Sequence, residues 1–119
     1  MNKYIFENVD QKKDSNWIVK DFFNSVNLRG KFILVIPFII QRIGCCVEES
    51  FCNFPDKESN DPDEKFEGIN FGIYGAEVIV SENIGFTLTK EACYRFMKLY
   101  SNDRLTIMKF IKDIEEMGY

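Results

Sequence analysis

The sequence contains no histidine among its 119 residues. Histidine is the side chain that most often transfers protons near neutral pH, so its absence excludes the Ser-His-Asp and Cys-His constellations of hydrolytic enzymes. Catalysis by carboxylates, lysines or cysteines stays open. The cysteines include no C-x-x-C pair, so a zinc site would need scattered thiolates. We therefore expect no metal and no cofactor.

The cysteines are few and carry no clear pairing pattern. They are Cys45, Cys46, Cys52 and Cys93. In a reducing compartment the expected state is free, mostly buried thiols, and Cys93 falls within an apolar helical stripe. We therefore expect no catalytic cysteine. The oxidation state of the adjacent Cys45 and Cys46 remains open.

The sequence also lacks a long hydrophobic run. The longest apolar stretch, Phe32–Ile40, ends at Gln41 and is far shorter than the about 20 residues that cross a bilayer. Charge returns at Glu7, before a signal-peptide core could form. We therefore expect a cytoplasmic protein that makes no contact with a membrane. Its 119 residues, 45% of them hydrophobic, predict a single domain over residues 1–119.

Residues 68–81 predict a β-hairpin that leads into a helix. From Ile69 onward, apolar residues alternate with polar or small ones, which is typical of a strand with one buried face. Tyr74-Gly75-Ala76 predicts the reversal, because Gly75 tolerates a positive φ. Val78-Ile79-Val80 is β-branched throughout, and Ser81 is suited to cap the next helix.

Apolar residues at helical spacing predict the helices. The first covers residues 18–26, the third covers residues 82–99, and a fourth follows it. The predicted inward face of the third helix consists of Ile84, Leu88, Ala92, Phe96 and Tyr100, widened by Cys93 and Met97, and that of the fourth consists of Leu105, Ile107, Met108, Ile111 and Ile114.

Three segments leave more than one interpretation. The β-branched residues within 32–43 are typical of a buried strand. However, apolar residues of this segment recur three and four positions apart, which favours a helix that starts late or kinks at Pro37. The first 14 residues form either an edge strand or a docked tail. Residues 47–54 alternate weakly and predict a further strand.

The predicted fold class is thus α+β: a small antiparallel β-sheet, made of the 68–81 hairpin plus one or more strands, packed against about four helices.

Negative charge is concentrated in one region. Residues 48–67 hold eight acidic and two basic residues, whereas the whole chain has a net charge of −4. Pro62 and the polar composition predict a loop that is longer than usual, which favours a functional role. A charge run is also often only a solvated connection, and a calcium loop is disfavoured because the spacing does not match an EF-hand. The basic residues of the last two helices are interspersed with acids, so we expect no nucleic-acid partner.

The acidic region predicts a surface for a basic protein, because clustered carboxylates repel nucleic acid and attract positive charge. We predict nine residues of that surface: Asp56, Glu58, Asp61, Asp63, Glu64 and Glu67, and, with weaker grounds, Glu48, Glu49 and Glu77.

Residues 66–100 resemble one group of CdiI immunity proteins, which belong to bacterial contact-dependent growth inhibition (CDI) systems. In that group a G-(V/I)-x-F-G strand, an E-(V/I)-x-(V/I)-S strand end and an A-C-x-x-(Y/F) helix recur in this order. The matching positions are Gly68, Phe71, Gly72, Glu77, Val78, Val80, Ser81, Ala92, Cys93 and Phe96. Asn83-Ile84-Gly85-Phe86 departs from the regular helical run of the group, and the first half of the chain matches only in general character.

The resemblance implies an immunity protein without enzymatic activity. It would bind the C-terminal domain of a cognate toxin, a basic nuclease and typically a ribonuclease, and block its active site, as a monomer in a 1:1 complex. The matching residues look like fold determinants, so no contact residue follows from them. One alternative is an acidic interaction or regulatory domain with a partner that is not a nuclease. A carboxylate-based hydrolase is a third hypothesis, which needs two converging acids, one with a raised pKa.

Overall fold

The computed structural model describes residues 2–119 and confirms the α+β class, with four helices and one open antiparallel sheet. The helices are α1 (Trp17–Leu28), α2 (Phe32–Ile40), α3 (Glu82–Leu99) and α4 (Arg104–Glu116), with short 3-10 turns at Pro62–Glu64 and Ser101–Asp103. The strands are β1 (Cys45–Val47), β2 (Ser50–Asn53), β3 (Ile69–Ile73) and β4 (Ala76–Val80), in the spatial order β1-β2-β3-β4.

One face of the sheet forms the core with the helices. Ile69, Phe71 and Ile73 of β3 point to this inner face and are buried. The ring of Phe71 lies 5.2 Å from the ring of Phe22 and 6.1 Å from that of Phe23, both on α1, measured between centroids. Edge-to-face aromatic contacts of this kind stabilise a core beyond simple area burial, so α1 is held firmly across the central strand.

The β3–β4 hairpin confirms the predicted reversal. Tyr74 and Gly75 form a two-residue turn with φ angles of 50° and 83°. Positive φ at both positions is the geometry of a type I′ turn, whose twist matches that of the flanking strands. The hydroxyl of Ser81 accepts a hydrogen bond from the backbone N–H of Ile84 at 3.1 Å, which confirms the predicted cap of α3.

The predicted strand over residues 47–54 is correct only for Ser50–Asn53. The chain reverses at Glu48-Glu49, where Glu48 has a φ of 52°, and Val47 pairs with Ser50 across the turn. The weak alternation of side chains did not indicate this turn, because neither glutamate is a typical residue for positive φ.

Residues 32–40 form a helix, which resolves the ambiguity between helix and strand. The helix begins at Phe32 and includes Pro37, so the interpretation that it starts late is wrong. The missing N–H of Pro37 leaves the carbonyl of Ile33 without its helical donor. This helix ends at Ile40, three residues before the predicted end.

The N-terminal segment is a docked tail, because it contains no strand between residues 2 and 14. The side chain of Asn24 accepts a hydrogen bond from the N–H of Phe6 at 2.7 Å and donates one to its carbonyl at 2.9 Å. Asn27 donates to the carbonyl of Lys3 at 2.6 Å. These buried amide groups replace the strand partners that the segment lacks.

The inward faces of α3 and α4 are as predicted at most positions, because Leu88, Ala92, Cys93 and Phe96 of α3 are buried, and so are Ile107, Ile111 and Ile114 of α4. The prediction is wrong for Ile84, Leu105 and Met108. Ile84 is 39% exposed, whereas its neighbours Gly85 and Phe86 are buried. In α4, Leu105 is 86% exposed and Met108 is 46% exposed. Phe110, which the spacing did not predict, is also buried on the inward face of α4.

At the start of α3, Gly85 instead of Ile84 faces the sheet, because helix and sheet approach each other closely there. A Cβ added at this position would lie 2.6 Å from Cδ1 of Ile69, which is fully buried. Only glycine lets the helix come this near to β3. Glycine has no apolar side chain, so the spacing of large apolar residues cannot indicate that Gly85 is on the side of α3 that contacts β3.

We predict that Gly85→Ala lowers the free energy of unfolding by up to about 2 kcal/mol, because an overpacking cost of about 1–3 kcal/mol is only partly offset by the about 1 kcal/mol that alanine adds in helix propensity. Ile69→Val removes the clashing Cδ1 and should cost about 0.5–1.5 kcal/mol alone. Urea denaturation should then show the double variant to be more stable than the sum of the single effects allows. Additive effects would contradict the close contact, and the exposed Asn83→Ala in the same helix serves as control.

Candidate functional site

The acidic loop, residues 56–67, connects the two central strands β2 and β3. Its six carboxylate residues are all exposed: Asp56, Glu58, Asp61, Asp63, Glu64 and Glu67. None of them forms an ion pair with any residue between 2 and 119. Their negative charge is therefore balanced locally only by Lys57 and Lys65, and its field extends into the solvent.

Hydrogen bonds within the acidic loop give it a closed shape. The N–H of Asp56 donates to the carbonyl of Glu64 at 2.6 Å, which joins the two ends of the loop. Asp56 accepts from the N–H of Glu58 at 3.1 Å, and Asp61 accepts from the N–H of Asp63 at 3.0 Å. Two of the six carboxylates thus help to hold the loop, while the others carry charge without such a role.

The base of the acidic loop rests on a group of aromatic side chains. Phe54, just before the loop, stacks on Phe86 with 6.4 Å between ring centroids, and Phe86 stacks on Tyr119 at 5.1 Å. The guanidinium of Arg42 lies 5.3 Å from the Phe86 ring. It also donates two hydrogen bonds of 2.8 Å to Glu82. The Arg42 hydrogen bond holds the pKa of Glu82 below its ordinary value.

Glu48 and Glu49 lie at the other end of the sheet. The β1–β2 turn and the acidic loop are separated by the length of the central strands, on the order of 15 Å. Arg29 is 3.3 Å from a carboxylate oxygen of each glutamate. Glu49 also accepts a hydrogen bond of 3.2 Å from the hydroxyl of Ser25, which in turn accepts one of 2.6 Å from Ser50. The carboxylate of Glu49 therefore contributes to the contact between α1 and the β1–β2 hairpin.

Glu77 lies apart from both the acidic loop and the Glu48–Glu49 turn. It lies on β4 opposite Gly72, is exposed, and forms no ion pair with the residues that the structure describes. Its strand position places it on the outer face of the sheet, away from the helices. The nine residues thus divide among three locations, and their role in toxin binding remains a prediction.

The two buried thiols, Cys52 and Cys93, lack the features of catalytic nucleophiles. Cys93 is fully buried, as predicted, and burial raises its pKa to about 12. Cys52 is also buried, and the hydrogen bond that its thiol donates to the cross-strand neighbour Cys45, together with burial, raises its pKa. Within residues 2–119, no three or more His, Cys, Asp or Glu side chains come together in a group that could hold a metal ion. None of the helices described is long and apolar enough to cross a membrane.

The sequence interpretation missed the outer face of the sheet. The residues of β2, β3 and β4 that point to this face alternate with the buried residues of the same strands. A correct strand register would therefore have identified them. The register was not available, because the turn at Glu48-Glu49 was not recognised. The role of Arg29 was missed for the same reason.

A comparison with protein families supports the resemblance noted above. A family model described as CDI immunity protein matches residues 15–111, which is more than three quarters of the chain. The match includes α1, α2, the whole sheet and α3. No curated protein matches the chain.

We predict that Glu49→Gln lowers the urea midpoint at pH 7, because it removes the carboxylate that bonds Ser25 and Arg29. The backbone N–H of Glu49, the Tyr74 hydroxyl and Arg29 hold its pKa below the ordinary value. The stabilisation is therefore complete above the unfolded-state pKa of about 4.3 and is lost as the pH falls through the lower folded-state pKa.

The comparison of two variants makes this prediction specific. Glu67→Gln removes an exposed carboxylate without an ion pair among residues 2–119, so its midpoint should equal or exceed that of the wild type. The urea midpoints of the wild type and of Glu49→Gln should become equal in strongly acidic buffer. Equal midpoints at pH 7 would show that Glu49 has no structural role.

Proposed function

Because the chain belongs to the family of CDI immunity proteins, we propose that it neutralises its cognate toxin by covering the active site with the acidic loop. We further propose that the toxin domain is a basic nuclease, most simply a ribonuclease, and that the complex is 1:1. The observation that carries this proposal is the set of six exposed carboxylates that lack an ion pair within residues 2–119.

Electrostatics support this type of partner. A ribonuclease cleft binds phosphates and is therefore lined with positive charge. A loop with six carboxylates and two lysines is negatively charged, as are the RNA phosphates that such a cleft binds. Complementary fields raise the association rate and disfavour partners of the wrong charge.

The shape of the acidic loop supports a fixed binding surface. The bond between Asp56 and Glu64 closes the loop, and the Phe54–Phe86 stack supports its base. A surface that is ordered before binding loses less conformational entropy when the complex forms. Binding alone then suffices for neutralisation, so we propose that no chemical step takes place on this chain.

Within the acidic loop, the carboxylates divide into two groups. Asp56 and Asp61 accept backbone hydrogen bonds, so their substitution would change the shape of the loop as well as its charge. Glu58, Asp63 and Glu67 accept no hydrogen bond from any residue described, and they are the appropriate positions for a test of charge alone.

We predict that the triple variant Glu58→Lys, Asp63→Lys, Glu67→Lys weakens binding of the cognate toxin domain by at least about tenfold, because three attractive charges become repulsive. The loss should arise mainly from a slower association rate and should shrink as salt increases. Surface plasmon resonance at several salt concentrations measures both quantities. Co-expression should show loss of protection against the toxin.

A matched control separates the place of the charges from their number. Reversal of the exposed Glu7, Glu115 and Glu116 to lysine changes the net charge of the chain by the same amount, outside the acidic loop. Glu115 and Glu116 lie 3.9 Å from Lys90 and Lys112, so the urea midpoint must show that this variant folds. It should leave toxin affinity within about threefold of the wild type, because screening weakens charges beyond about 10 Å. Equal losses in the two variants would refute the role of the loop.

A further inference from the structure

The second face of the sheet is open. Cys46, Glu77 and Ile79 point away from the helices and are exposed, with Ile79 at 49%. Phe51 and Gly72 lie between them on the two central strands, where they are paired with each other. The outer face, defined as Cys46, Phe51, Gly72, Glu77 and Ile79, thus carries apolar side chains that no residue between 2 and 119 buries completely.

Phe51 and Gly72 give this face a flat centre. A Cβ on residue 72 would collide with the ring of Phe51, so the ring occupies the space that any larger residue at this position would need. Gly72 is buried beneath it. An aromatic ring that is held flat on its neighbour strand has little freedom left to lose, which is favourable for a contact with a partner.

The acidic loop adjoins the same face. It leaves β2 after Asn53 and enters β3 before Asn70, and these two outward residues are paired. Glu77 adds a carboxylate within the face itself. The apolar centre is therefore bordered by negative charge, which complements a basic partner.

The size of the outer face shows that it cannot act alone. Four strands spaced by about 4.8 Å and about five residues long cover on the order of 250 Å². A stable interface needs about 800 Å² from each partner. A partner that covers the face must therefore also contact neighbouring surface, and the acidic loop is the adjoining part that carries unpaired charge.

We propose that the outer face is the apolar centre of the toxin-binding surface, with Phe51 and Ile79 as the side chains that contact the toxin and the acidic loop as its charged border. This inference rests on the proposed function. It specifies a toxin surface in which an apolar patch lies beside the basic cleft.

Charge complementarity favours the outer face over the other exposed apolar region. Met108 and Met97 line a groove between α3 and α4 together with Ile111. Three basic residues and one acidic residue line the same groove, so its border is net basic and would repel a basic toxin; they are Arg104, Lys109, Lys112 and Glu115. This groove provides the matched control.

The first test compares two substitutions of equally exposed residues. Ile79→Lys places a cation on the outer face, and Met108→Lys does the same in the α3–α4 groove, where the exposure of 46% is similar. We expect Ile79→Lys to weaken affinity for the cognate toxin domain by at least about tenfold, mainly through faster dissociation, and Met108→Lys to change it by less than about twofold. Urea midpoints confirm that both variants fold.

The second test uses the unmodified protein, because Cys46 is a natural reporter on the outer face. It is exposed, whereas Cys52 and Cys93 are buried. Bound toxin should slow alkylation of Cys46 by iodoacetamide by at least about tenfold, measured by peptide mass spectrometry, since a protein interface excludes solvent at its centre. A cysteine introduced by Met108→Cys should react equally fast in the free and bound protein.

The outcomes separate this inference from the proposed function. Suppose that the wild type binds the toxin, but Ile79→Lys retains full affinity and Cys46 stays reactive in the complex. The outer face is then not the binding surface, although the acidic loop can still be the part that contacts the toxin. If the wild type fails to bind the toxin, the proposed function fails and the inference fails with it. Protection of the Met108→Cys thiol alone would place the toxin on the α3–α4 groove and overturn the inference.

Discussion

The packing of α1 across β3 is the interaction on which the rest of the structure depends. Phe22 and Phe23 contact Phe71 at ring distances of 5.2 and 6.1 Å, and Phe23 also reaches Phe32 of α2 at 6.3 Å. One pair of adjacent residues therefore joins the first two helices to the central strand. Because this packing covers one face only, the sheet has a closed side that supplies stability and an open side that is free for contact.

The arrangement of charged residues divides the surface by function. Arg29 neutralises Glu48 and Glu49 at one end of the sheet, and Arg42 neutralises Glu82 below the acidic loop. Arginine is well suited to both places, because its planar group can bond two carboxylate oxygens at once. The acidic loop contains only lysines as bases, and neither lysine pairs with a loop carboxylate within the described residues. Repulsion among these acids disfavours the isolated folded state, and a basic partner would relieve it.

Local chemistry accounts for the parts of the fold that the sequence allowed us to predict. The 68–81 hairpin and the Ser81 cap follow from residues within a few positions of one another, and the structure confirms both. The predictions that failed depend on contacts between distant residues. Gly85 is buried because Ile69 lies against it, and Glu48 accepts a positive φ in a turn that Arg29 holds from α1. For the candidate site, the composition indicated the acidic loop, but only the strand register shows that Phe51 lies over Gly72 on the face of Glu77 and Ile79. Only the α1 contacts show that Glu49 is already engaged.

The acidic loop and the outer face differ in the range over which they act, and this difference makes them complementary. Unpaired carboxylates attract a basic domain from about 10 Å away at moderate salt, but each contributes little once solvent screens it. Apolar side chains such as Phe51 and Ile79 act only on contact, yet burial of each can contribute roughly 1.5–3 kcal/mol. In the complex that we propose, the first property governs how fast the toxin is found and the second governs how long it is held. An immunity protein needs both, since a toxin that dissociates is active again. The fold meets this requirement by attaching a charged loop to the open side of a sheet whose other side is fixed by Phe71.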